Sequence, residues 1–139
     1  MSAHNAPFHM YQGPILGRDP GDGEPIEINR YGEIIELVSV AAETRTLRAP
    51  SKAGILATIR MKTDGGDITL TASNGLNVAL SDTAVFADVG DQIWILSVSA
   101  STGYRWEILV NTGSVAVDEA GTTAAPTTVA PTTAAPTTP

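Results

Sequence analysis

Only a few residue groups in this chain have types and spacings that invite chemistry. His4 and His9 stand near the start, five positions apart. Imidazole binds zinc, but a zinc site needs three or four protein ligands, and no cysteine or carboxylate accompanies this pair at metal spacing. Asp64-Gly65-Gly66-Asp67 and Asp88-Val89-Gly90-Asp91 share the pattern D-x-G-D. A calcium loop supplies a longer run of oxygen ligands. The same pattern suits a tight turn, because Asp side chains bond nearby amides and Gly accepts positive φ. Tyr104-Arg105-Trp106 offers a surface on which a sugar or base can stack. Its plain alternative is a strand in which Arg105 points outward. Cysteine is absent and both histidines precede the domain, so neither a Cys–His nor a Ser–His nucleophile has a base inside it. Carboxylates are present, but nothing selects the facing pair that a glycosidase needs. The expectation is a non-enzymatic protein with no cofactor and no metal.

The elements that carry these groups read as short strands. Asp91–Val110 forms the centre, a hairpin with Ile93, Ile95 and Val98 on one side of the Ser99–Gly103 turn. On the other side Tyr104, Trp106, Ile108 and Val110 alternate with Arg105, Glu107 and Leu109, and period 2 assigns each set to one face. Both tryptophans, Trp94 and Trp106, fall here, so this hairpin is expected to centre the core. Upstream, 33–40 reads as a strand with Ile35, Leu37 and Ser39 on one face. Residues 44–47 make a short polar strand, and 54–62 and 68–72 alternate around the Asp64–Asp67 turn. That spacing predicts a β-hairpin over 54–72 with glycines at positive φ. A further short strand is expected at 76–80, and 83–87 leads from it to the Val89-Gly90-Asp91 turn and the central hairpin. Turn signals every 8 to 12 residues or so predict an all-β fold, a small sandwich or barrel of jelly-roll-like character.

Composition divides the chain into three segments: an extended N-terminal arm at 1–29, a β-domain at 30–113, and a linker with a Pro/Thr-rich tail at 114–139. The arm is broken by Pro7, Pro14, Pro20 and Pro25, yet holds Phe8, Met10, Tyr11, Ile15 and Leu16. Disordered segments usually lack such residues. These five are the candidate partner-binding residues. The alternative is an irregular lead-in that packs on its own domain. The tail repeats TTAAP at 122–126, TTVAP at 127–131 and TTAAP at 132–136. Proline and β-branched threonine favour extended chain, which at about 3.1 Å per residue reaches on the order of 55 Å.

Of the 139 residues 17% are charged, against about 25% in typical domains, and the net charge is −7 with a pI near 4.6. An acidic chain with no basic cluster is not expected to bind nucleic acid. No apolar run approaches 18 residues, so no membrane span is expected. The first residues, MSAHNAPFHMYQ, lack the charged and apolar regions of a secretory signal. A globular part of about 80 to 90 residues buries only a little over 60% of its unfolded surface, so association with copies of itself would add stability.

The pieces TLRAP, TDGGDITLTASNGLN, FADVGDQIWILSVS and GYRWEILVNTG lie within residues 43–113. Together this stretch resembles the small β-domains of tailed-phage head decoration, or cement, proteins. The resemblance implies a structural protein of the virion on the capsid surface, with the major capsid protein as partner and a homotrimer as assembly. The arm lies outside it. The competing expectations are a carbohydrate-binding or adhesive fibre module that uses Tyr104–Trp106, and a domain on an O-glycosylated Thr/Pro stalk.

Overall fold

The computed structural model describes residues 15–77 and 81–118. Among these there is no helix, and so none long and apolar enough to cross a membrane. The strands are β1 (Ile15–Gly17), β2 (Pro25–Ile26), β3 (Glu33–Val38), β4 (Glu43–Leu47), β5 (Leu56–Thr63), β6 (Ile68–Leu76), β7 (Ser81–Phe86), β8 (Gln92–Ser99), β9 (Tyr104–Thr112) and β10 (Ala116–Asp118). They form one curled mixed sheet, a half-barrel. The all-β class expected from the turn spacing is what the chain adopts. The sheet takes in β1, β2 and β10, which lie outside residues 30–113.

The sheet has two halves. One is β1-β3-β5-β8-β9, and the other is β2-β4-β6-β7-β10. From β1 to β6 the chain alternates between them, so like strands pair in parallel: β1 with β3, β3 with β5, β2 with β4, β4 with β6. This is a coil, unlike the antiparallel ladder of a jelly roll. Antiparallel pairs β6–β7, β7–β10, β5–β8 and β8–β9 complete it. The halves meet where Leu76 pairs with Trp106. There Asn77, at φ 57°, donates its N–H to Trp106 O at 2.8 Å, and its Oδ1 accepts from Ile108 N at 2.7 Å. Asparagine is one of the few residues that visits this backbone region readily.

The coil corrects the hairpin expected over 54–72. β5 and β6 do not pair with each other; 64–67 carries the chain from one half to the other. This corner stacks on the previous one, 39–42. Ser39 Oγ donates to Gly66 O at 2.6 Å and accepts from Gly65 N at 3.0 Å. Ser39 N donates to Thr63 O at 3.0 Å and Glu43 N to Asp67 O at 2.9 Å. The glycines are required by close approach rather than by positive φ. A Cβ on Gly65 would lie 2.6 Å from Ser39 O and Val40 Cα, and one on Gly66 would lie 2.6 Å from Ala42 N.

Both halves bury one face in a common core. Ile35, Leu37, Ile59, Ile93 and Ile95 from the first half meet Leu47, Ile68, Leu70, Ala84 and Phe86 from the second. The core also holds Ile26 and Ile28. The two tryptophans separate. Trp106 is 1% exposed and donates Nε1–H to Arg48 O at 2.9 Å, whereas Trp94 is 43% exposed and faces away from the core. The expectation that both centre the core therefore holds for Trp106 alone. Parity explains it: Trp94 lies between the buried Ile93 and Ile95.

Candidate functional site

The candidate partner-binding residues begin in the arm. Phe8, Met10 and Tyr11, with His4 and His9, lie outside the described residues. Ile15 and Leu16 open β1, which runs along the edge of the first half in parallel register, Ile15 beside Glu33 and Leu16 beside Ile34. The Leu16 side chain is 64% exposed.

β1 is three residues long, and a strand so short needs support from outside itself. Asp19 supplies that support. Its Oδ2 accepts Val38 N at 2.8 Å, so a carboxylate continues the edge pairing of β3 beyond β1. Arg45, from β4, is buried behind it. The guanidinium gives Nε to Asp19 Oδ1 at 2.6 Å, Nη2 to Asp19 Oδ2 and Val38 O at 3.1 Å each, and Nη1 to Thr44 O at 2.9 Å. Glu43 Oε2 lies 3.0 Å from Nη1. Burial works against the charge on Asp19, but the Arg45 hydrogen bonds and the Val38 and Gly21 amides outweigh it and hold the carboxyl below its usual range. Burial likewise opposes the charge on Arg45, and Asp19 and Glu43 overcome it, raising its pKa. The root of the arm is thus fixed to both halves of the sheet, while Leu16 is left in solvent.

From Leu16 an apolar row crosses the outer face of the first half. In register it reads Leu16, Ile34, Thr58, Trp94, Val110, one residue from each of β1, β3, β5, β8 and β9. Leu56 and Leu96 pair in the adjacent row. β9 would turn Val110 inward by simple alternation, since Trp106 and Ile108 pack on the core. A β-bulge intervenes: Ile95 pairs with Ile108 but Trp94 with Val110, leaving Leu109 as the extra residue. Leu109 and Val110 are both exposed beside Trp94. Bulges re-aim side chains in this way. The expected common face of Tyr104, Trp106, Ile108 and Val110 is corrected accordingly. Charges flank the row in internally paired sets. Glu36 takes Arg60 at 2.6 Å and Lys62 at 3.4 Å on one side, and Arg105 pairs with Glu107 at 2.7 Å on the other.

The remaining candidates resolve into structure. Burial of Trp106 removes it from any stacking surface, and Arg105 is held by Glu107. Asp91 is buried and acts as a turn clasp. Its Oδ2 accepts Ala87 N at 3.0 Å and Asp88 N at 3.1 Å, and its Oδ1 accepts Ser114 N at 2.7 Å. Burial pushes this carboxyl up, but the Ser114, Ala87 and Asp88 amides and the Ser114 hydroxyl hold it below its usual range. Asp64 and Asp67 are exposed at the 64–67 corner. Among the described residues no three His, Asp or Glu side chains are grouped as metal ligands. A shallow depression of about 420 Å³ lies beside Leu16, bordered by Arg18, Arg30, Arg48, Glu27 and Glu33. Arg48 there pairs with Glu27 at 3.2 Å.

No protein-family model and no curated protein matches the chain.

Proposed function

We propose that this chain is a non-catalytic structural protein that decorates a phage capsid, held to the major capsid protein by its N-terminal arm and assembled as a homotrimer. The observation that carries the reading is the exposed Leu16 on a strand that Asp19 and Arg45 fix to the sheet. An apolar lead-in that packed on its own domain would bury Leu16. Here the domain anchors the backbone of the arm's root and presents the side chain outward. Earlier in the sequence, Phe8, Met10 and Tyr11 have the same apolar character. Prolines in the arm lower the entropy lost on ordering, and buried apolar area contributes about 25 cal/mol per Å². The resemblance of residues 43–113 to decoration domains supports the choice of partner and of three copies.

The test is co-sedimentation with undecorated capsids. Deletion of residues 1–14, or Leu16→Asp in the full chain, is expected to abolish or strongly weaken binding. Deletion of 120–139 is expected to leave it intact, because that tail carries no apolar side chain larger than Val129. Normal binding without the arm, with loss on removing the tail, would reverse the assignment of the two ends.

A further inference from the structure

The outer face of the first half-sheet carries a mostly apolar row, broken only by Thr58, and its charged groups are three cations, Arg60, Lys62 and Arg105, to two acids, Glu36 and Glu107. We infer that it joins copies of this chain to one another, with Trp94 at the centre of the contact. This rests on the homotrimer proposed above and names the surface of its contact, so that a Trp94→Glu variant of unchanged mass sinks the surface alone and a monomeric original chain sinks both; it does not depend on what the arm grips.

The area is of the order an interface needs. The five strands hold 3, 6, 8, 8 and 9 residues, and at about 4.8 Å between strands and about 3.3 Å per residue they span a projected face of about 540 Å². Accessible area exceeds projected area on a corrugated face, and a standard interface takes about 800 Å² from each partner. The composition is that of an interface: an exposed Trp flanked by Leu109, Val110 and Leu96, with ion pairs at the margin. Continuous exposed apolar surface rimmed by polar groups marks a binding site.

Charge selects the occupant. The chain carries −7 overall, so two copies repel at most approaches. On this face each acid is matched within the same copy, Glu36 by Arg60 and Lys62, and Glu107 by Arg105. With three cations to two acids the face carries no net negative charge, so the acidic surface of a second copy is not repelled here. A basic partner, which the rest of the molecule would attract, gains nothing from this face.

The chain's two tryptophans make the contact readable. Trp106 is buried within a single copy, so a change in emission on dilution reports Trp94. The experiment measures the mass of the full chain by light scattering at micromolar concentration, and its emission over a dilution series. The expected result is an oligomer whose emission shifts to the red as it dissociates. Trp94→Glu is expected to be monomeric with an unchanged circular dichroism spectrum, and at least tenfold weaker in association. Val89→Glu, at an exposed position in the β7–β8 turn, is expected to associate as the original does. An original chain that is monomeric, or a Trp94→Glu variant of unchanged mass, would overturn the inference. So would a monomer whose Trp94 emission turns red only when residues 1–14 are deleted, because the arm would then be the occupant. None of these readouts involves a capsid, so failure of arm attachment and failure of this contact are separate results.

Discussion

Asp19 and Arg45 form a bidentate pair, Oδ1 to Nε at 2.6 Å and Oδ2 to Nη2 at 3.1 Å, between the β1–β2 corner and a fully buried guanidinium on β4. The same carboxylate holds Val38 N, and the same guanidinium holds Val38 O. One ion pair thereby closes the end of β3 and fixes the short β1 strand on which Leu16 is displayed.

Asp19→Asn removes one charge and leaves Arg45 buried with Glu43 as its remaining acid. Breaking a buried pair from one side costs about 3 to 5 kcal/mol, and the retained Glu43 places this variant at about 3 kcal/mol. The urea midpoint should fall accordingly. Hydrogen exchange should quicken first at Val38 and along β1. Full stability with unchanged protection of Val38 would show that the pair does not anchor the strand.

Acid should destabilise the protein through Asp19 and Asp91. Both carboxyls sit below their ordinary value of 3.8 in the folded chain. The unfolded chain therefore binds more protons as pH falls, so the stability they contribute is present above about pH 4 and is lost as pH drops through their folded values. The urea midpoint should be flat from neutral pH to about pH 5 and decline below about pH 4. Asp91→Asn should start lower and decline less steeply. A midpoint that rises on acidification would contradict the sign.

Gly66→Ala should cost about 1 to 3 kcal/mol, because the new Cβ meets the backbone of Ala41 and Ala42 and neither corner can yield alone. Ser39→Ala should cost a similar amount, since it leaves Gly65 N–H and Gly66 O without their partner. The two effects should be non-additive in a double-mutant cycle, as both act on the same stacked corners.

These corners are also where the sequence misled. Gly65-Gly66 between two aspartates is the pattern of a hairpin turn, and the strands on either side alternate as hairpin strands do. Nothing local distinguishes a turn that reverses within one sheet from a corner that crosses to the other half; the partner, Ser39, is more than twenty residues away. Period 2 did put Ile35, Leu37 and Ser39 on one face, which the fold buries, and it located the β8–β9 hairpin. It failed at Val110, because the bulge at Leu109 adds a residue that alternation cannot register. In the candidate site, Leu16 was legible as an apolar residue among prolines. Its anchor was not, although Arg45 shares parity with Leu47, and that parity already implied a buried arginine in need of an acid. Trp94 read as core because a run of apolar residues conceals which members face out.

Whether the protein coats a capsid is decided by cryo-electron microscopy of whole particles carrying a labelled full chain. Many copies distributed over the shell are expected, together with their loss from particles assembled with protein lacking residues 1–14. Copies confined to the tail or its fibres, with an unlabelled shell, would refute capsid decoration.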